Sequence, residues 1–298
     1  MNHGFQWIEV AAIVGALSCA AHAGTVELDL PVVRDATVYS ENIDGANGVG
    51  TAFVAGRTNM GAIRRGLIQF DTSVIPEHAV VLSVEFSLTL AQTNAGDQPM
   101  TLHRVLEDWS TGTSASGGGQ PATATQDDVT WRYRSYVASD PTMSPAWSVD
   151  GGAFVKQPSA TSIVGSDQVE YTWASTPALV ADVQSWREDA SGNRGWILVA
   201  DKGGTKRFFS SDDANAMRRP RLTVMYDIPC PADCSPFIGD QVIGDGAVNI
   251  DDLVGVINAF GAEGPCDVAP DNGDGTYGNG VINIDDLMAV LNAVGACP

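Results

Sequence analysis

Residues 244–261 read GDGAVNIDDLVGVINAFG, and residues 278–295 read GNGVINIDDLMAVLNAVG. The two stretches agree at 11 of 18 positions, and each equivalent pair lies 34 residues apart. This duplication constrains the fold more than any bulk property. Each copy joins a Gly/Asp/Asn loop to an amphipathic helix, and neither helix can bury its apolar stripe alone. The stripe is Leu253, Val256, Ile257 and Phe260 in the first copy, and Leu287, Val290, Leu291 and Val294 in the second. The helices are therefore expected to pack on one another as a pseudo-twofold pair, ending near Gly261 and Gly295.

The loops place oxygen ligands at matched spacing. The first offers Asp240, Asp245, Asn249 and Asp252; the second offers Asp274, Asn279, Asn283 and Asp286. Gly246 and Gly280 follow the second ligand, where a cation-binding loop turns sharply. Hard cations take several converging oxygens, so about two calcium ions are expected, one per loop. Counted from Asp240 or Asp274, each loop holds 13 residues, so the first ligand is the weakest assignment. The competing reading makes these Asp residues helix caps only.

Charge supports a cation. The chain has a formal net charge of −20, and residues 230–298 carry ten Asp, one Glu and no Lys or Arg. Self-repulsion of that size disfavours a compact state without counter-charge. It also argues against nucleic acid as a partner. At the other end, Val10 to Ala20 is an apolar run followed by Ala21-His22-Ala23, the pattern of a signal peptide over 1–23 and hence of a secreted or cell-surface protein. That run is too short to span a bilayer, and no membrane span is expected elsewhere. Past it remain Cys230, Cys234, Cys266 and Cys297, which read as two disulfides with three possible connectivities.

Residues 24–228 read as β-rich. Val84, Phe86, Leu88 and Leu90 alternate with Ser83, Glu85, Ser87 and Thr89, the period of a half-buried strand. Further strands are expected near 64–70, 101–105, 195–200 and 221–226. One helix is expected with Thr176 as its cap, Pro177 in its first turn, and Leu179, Val183 and Trp186 on one face. Many short strands with one helical insert predict a mainly β fold, a β-sandwich or jelly roll, followed by a small all-α pair of loop–helix repeats over 229–298. Trp109, Trp131, Tyr133 and Trp147, within the loop-rich stretch 106–175, are the candidate ligand-binding rings; Trp186 and Trp196 are expected in the core. No nucleophile or metallohydrolase motif is evident, and the acid pairs Glu107-Asp108 and Asp127-Asp128 are weak candidates for glycosidase chemistry.

On the residues 245–253 (DGAVNIDDL) and 279–287 (NGVINIDDL), the C-terminal part resembles a type I dockerin module. The resemblance implies calcium loops and a cohesin-like protein partner. It also implies a pairing of Cys297 with Cys230 or Cys234, and of Cys266 with the other. The β region resembles the DNRLRE type of domain, related to disaggregatase domains, on RRGLIQFDTSVIP (64–76), LHRVLEDWSTGTS (102–114) and the stretch from Trp196 to Tyr226. That implies a β-sandwich that binds polysaccharide. The function expected is a secreted, non-catalytic polysaccharide-binding protein docked through its C-terminal module. The alternatives are a self-associating structural cell-surface protein and a polysaccharide-degrading enzyme component.

Overall fold

The computed structural model describes residues 25–76, 79–200, 202–235, 237–238, 241–242, 244–273 and 276–297. The expected signal segment 1–23 and two of the expected ligands, Asp240 and Asp274, lie outside the described residues. The described residues form two compact units that divide between Asp227 and Ile228.

The larger unit is mainly β. Its strands are β1 (Val26–Leu30), β2 (Val32–Tyr39), β3 (Gly45–Ala46), β4 (Ala52–Arg57), β5 (Ile63–Phe70), β6 (Val80–Thr93), β7 (Gln98–Arg104), β8 (Ala122–Thr123), β9 (Ala160–Val164), β10 (Glu170–Trp173), β11 (Trp196–Val199), β12 (Lys206–Phe209) and β13 (Arg221–Asp227). Eleven of them make one curled antiparallel sheet in the order β1-β13-β6-β12-β4-β5-β11-β7-β9, with β10 also on β6 and β2 also on β5. The long strand β6 pairs with β13, β10 and β12 in turn. Register shifts opposite Arg207/Phe208 and Met225/Tyr226 mark bulges, which bend a ladder and increase its twist.

The alternation in β6 sets the core. Val84, Phe86, Leu88 and Leu90 are all fully buried, while Glu85 is exposed. Phe86 stands at the centre of an aromatic chain. Its ring lies 5.9 Å from Phe70, 5.4 Å from Trp173 and 6.3 Å from Trp196, measured between centroids. Trp173 continues to Phe208 at 6.3 Å, and Phe208 to Phe53 at 5.9 Å.

Helix α1 (Pro177–Glu188) closes this core. Thr176 caps it by accepting from the Leu179 N–H, and Pro177 occupies the first turn, where its missing N–H costs nothing. Leu179, Val183 and Trp186 face inward as the periodicity predicts, and Trp186 meets Trp196 at 4.6 Å. Asp182 is buried on the same face. Its Oδ2 accepts from Ser159 Oγ at 2.6 Å and from the Trp196 indole N–H at 2.8 Å. The Arg104 guanidinium stands 3.6 Å from Oδ1.

Asp182→Ala strands the Trp196 donor and the half-buried Arg104 together. Unfolding of the full chain is expected to show a loss of about 3 kcal/mol, against a smaller loss for Asp182→Asn. Asp35, buried in β2, gives a pH signature. Burial raises its carboxyl to about 6, the nearby Asp212 charge adds to this, and a bond from the Ser211 N–H opposes it. The folded state therefore holds a proton that the unfolded chain releases near its ordinary value. Stability contributed here is present below about pH 4 and is lost as pH rises through about 6. Melting curves from pH 4 to 7 should show Asp35→Asn without that part of the decline, a difference of about 3 kcal/mol at neutral pH.

Candidate functional site

The smaller unit contains two short strand pairs, β14 (Phe237–Ile238) with β15 (Gln241–Val242) and β16 (Ala247–Val248) with β17 (Gly295–Ala296). Its helices are α2 (Ile250–Asn258) and α3 (Ile284–Asn292), which pack against each other. The unit is thus not all-helical, as the repeat had suggested; the chain ahead of α2 and after α3 pairs as strand. Cys230 is bonded to Cys297 and Cys234 to Cys266. Val248, Val256, Val268, Ile282 and Val290 complete a small core around the cystines. Bridges closing 67 and 32 residues cost the unfolded chain roughly 4 kcal/mol each in entropy.

The loops are organised by carboxylates accepting backbone N–H groups. In the first copy, Asp252 Oδ2 accepts from Asn249 N at 2.8 Å, and Oδ1 accepts from Ser235 N at 2.8 Å. Asn249 Oδ1 accepts from Asp251 N, completing a reciprocal cap at the start of α2. In the second copy, Asp286 Oδ2 accepts from Asn283 N at 2.7 Å, and Oδ1 accepts from Val268 N and Ala269 N at 2.7 and 2.8 Å. Gly246 and Gly280 have φ of +86° and +90°, with open space where a Cβ would stand. The left-handed backbone, rather than crowding, selects glycine there.

Asp233 and Asp267 were not among the expected ligands. Asp233 is buried, and its two oxygens accept from Asp245 N at 3.0 Å and Gly246 N at 2.8 Å. Asp267 does the same for Asn279 N at 3.0 Å and Gly280 N at 2.6 Å. These two residues are 34 apart, so extending the repeat upstream would have found them. Asp240 and Asp274 are also 34 apart and lie closer to the loops, so the sequence favours them as the first ligands instead.

Asp233, Asp245, Asn249 and Asp252 supply hard-oxygen donors around one loop, and Asp245 Oδ2 accepts from Asn249 Nδ2 at 3.0 Å. Burial raises the Asp252 carboxyl above its usual range, and the charge of Asp233 adds to the shift. Burial is the larger cause and like-charge repulsion the smaller, and residues 230–298 hold no Lys or Arg to offset either. Among the described residues, no three His, Cys, Asp or Glu side chains gather closely enough to hold a metal ion as they stand. The donor chemistry suits a hard cation; the described carboxylates also serve fully as caps.

The helix stripes divide. Leu253 and Val256 of α2, and Leu287 and Val290 of α3, join the core. Ile257 and Phe260 are 58% and 54% exposed, and Leu291 and Val294 are 50% and 55% exposed. The expectation that whole stripes would be buried fails, because each helix inserts only one edge. Ile250, Val254, Ile284 and Met288 are exposed as well, so the outward apolar rows repeat at the same 34-residue spacing.

The aromatic candidates also divide. Trp109 and Trp147 are buried in a second cluster of the larger unit, with Val38, Leu67, Val105 and Ile197. Their indole N–H groups donate to the Arg194 and Thr130 carbonyls at 2.8 and 3.1 Å. Arg34 covers the Trp109 ring at 4.4 Å, so neither ring offers a free face to a ligand, which corrects the sequence expectation for both. Trp131 is half-buried beneath the Arg65 guanidinium at 5.1 Å. Tyr133 is half-buried, with its ring 6.1 Å from Tyr136. The acid pairs have structural partners. Glu107 accepts from Ser148 N, Asp108 pairs with Arg34 at 3.1 Å, and buried Asp128 accepts from Gly112 N, Thr125 N and Thr125 Oγ1.

Compared with known proteins, the chain matches no family model and no curated sequence.

Asp233→Ala leaves the Asp245 and Gly246 N–H groups without their acceptor. Proteolysis of the full chain under native conditions is expected to cut residues 230–260 markedly faster in this variant, corresponding to a loss of roughly 2 kcal/mol in that unit. Glu263→Ala, an exposed change in the same unit, should leave the cutting rate unaltered.

Proposed function

We propose that the chain is a secreted, non-catalytic polysaccharide-binding protein. Its larger unit, a DNRLRE-type sandwich, holds the glycan. Its C-terminal unit is dockerin-like, takes up about two calcium ions, and docks the protein onto a partner. The observation that carries this reading is the duplicated loop–helix pair, with carboxylate-lined loops and matched outward apolar rows on α2 and α3.

The calcium part rests on donor type and charge. Asp233, Asp245, Asn249 and Asp252 would hold one ion, and Asp267, Asn279, Asn283 and Asp286 the other. Bound calcium supplies the positive charge that this stretch lacks. The chain's own carboxylates meanwhile fix the loop amides and the helix starts. The docking part rests on the apolar rows, eight large apolar side chains exposed at matched positions. Exposed Asp251 and Asp285 stand beside Ile250 and Ile284. A partner protein with an apolar strip rimmed by Lys or Arg complements them; a second copy of this unit, equally acidic, repels. The glycan part is supported by the half-exposed Trp131, Tyr133 and Tyr136 rings, set beside Arg132 in a loop-rich face.

Calorimetric titration of the full chain with calcium is expected to show uptake of about two ions. At calcium a hundredfold above Kd, the unit gains about 2.7 kcal/mol. Asp233→Ala with Asp267→Ala should abolish uptake; no heat up to millimolar calcium would remove the calcium part. Ile257→Glu with Leu291→Glu should leave uptake intact, and sedimentation should find the calcium-loaded chain monomeric. A dimer lost in this variant would replace the partner protein by a second copy.

A further inference from the structure

The larger unit carries a polar groove that none of the residues discussed above occupies. Two adjoining hollows, of about 610 and 170 Å³, share Arg64, Asn94, Gln120 and Thr205 in their walls. The first lies within the size range of small-ligand sites. Both sit over neighbouring strands of the curled sheet, at the end of β4, the start of β5, the end of β6 and the start of β12, with residues 118–120 as a flank.

Three arginines line the groove, and they do different work. Arg64 is fully engaged. Its Nε donates to Glu41 at 2.7 Å, Nη1 to the Gly119 carbonyl at 2.8 Å, and Nη2 to Gln120 Oε1 at 3.4 Å, while its guanidinium covers Tyr39 at 5.3 Å. It fixes the flank and the Gln120 side chain. Glu41, the one carboxylate in the walls, is thereby committed to Arg64. Arg57 ends β4 and is exposed in the larger hollow. Arg207, opposite Val54 across the β4–β12 ladder, is half-buried in the smaller one. Among the described residues, the Arg57 and Arg207 guanidinium groups have no hydrogen-bond or ion-pair partner, and the Arg207 Nε is a buried donor without an acceptor.

A buried donor left unpaired costs on the order of 1–3 kcal/mol. The planar fork of a guanidinium matches a carboxylate or sulfate, with two parallel N–H bonds. Asn94, Gln120 and Thr205 stand beside it with amide and hydroxyl groups suited to sugar hydroxyls. In a chain of net charge −20, this groove is a local cationic site.

We propose that the groove binds an anionic polysaccharide. Arg207 receives the carboxylate or sulfate of one sugar, and Arg57 meets the charge of a neighbouring sugar toward the open end. This inference rests on the glycan-binding reading and narrows it to charged chains.

The test is affinity electrophoresis of the full chain in gels containing polygalacturonate, a carrageenan, or a neutral xylan. Polygalacturonate probes carboxylates, and the carrageenan probes sulfates. Retardation by at least one anionic polymer is expected. It should weaken tenfold or more in Arg207→Gln and in Arg57→Gln, and stay within twofold in Lys156→Gln, an exposed lysine that does not line the groove. Arg207→Lys, which keeps the charge but loses the fork, should fall between. Because Arg57 is exposed, its variant reports on the groove even if Arg207→Gln fails to fold. Equal loss in all three glutamine variants would reveal diffuse charge attraction and overturn the assignment. Retardation by xylan alone, unchanged in the variants, would overturn the groove while leaving a glycan-binding protein. No retardation by any polymer would overturn both.

Discussion

Backbone amides bound by carboxylates hold the C-terminal unit in shape. Asp233, Asp252, Asp267 and Asp286 each accept two or three N–H groups from the loops they serve. These bonds join segments distant in sequence: Asp233 reaches the turn at Gly246, and Asp286 reaches Val268 and Ala269. They require ionised carboxylates at close quarters in a stretch without a single basic side chain. The two disulfides restrain the unfolded chain but add no charge. The acceptors that order the loops are of the same chemical type as the donors a hard cation takes, but among the described residues no three of them converge as they stand, so a cation would have to draw them together.

The same constraint explains the exposed apolar rows. With each helix start pinned by Asp252 or Asp286, only one edge of α2 and of α3 reaches the core, through Val256 and Val290. Ile257, Phe260, Leu291 and Val294 are left facing outward. A unit of about 70 residues has little core to spare, yet this one exposes several large apolar side chains on two short helices. Burial of that surface by a partner would contribute stability that the unit forgoes alone.

Regular elements were the legible part of the sequence. The alternation over 83–90 and the Thr176-Pro177 helix start appear in the fold as read, because period and capping are local properties. The sites were less legible. Trp109 and Trp147 lie in a loop-rich stretch whose composition gives no inside or outside, and a second core cluster claims both. Asp233 escaped notice because it lies 12 residues before Asp245 and outside the matched stretch, so its role is defined only by the bonds it makes at Asp245 and Gly246. The arginine groove was invisible for the same reason. Arg57, Arg64 and Arg207 are brought together by the β12–β4–β5 ladder and share no sequence motif.

The larger unit shows how burial and pairing sort residues of one type into scaffold and free surface. Arg34, Arg104, Arg218 and Arg221 are matched to Asp108, Asp182, Asp213 and Glu170. Lys206, fully buried, donates to the carbonyls of Ala95, Gly96 and Gly165 and so ties the β6–β7 turn to the segment after β9. Arg34 and Arg187 also leave a buried Nε without an acceptor, but Asp108 and Glu188 hold their guanidinium groups; Arg207 has the buried Nε and, among the described residues, no ion pair. Neighbouring Lys206 shows that this fold can supply carbonyl acceptors where it uses a cation structurally. At Arg207 it supplies none, and the side chain borders a hollow instead of packed carbonyls. The difference between those adjacent residues of β12 separates a cation that holds the fold together from one left to meet a ligand.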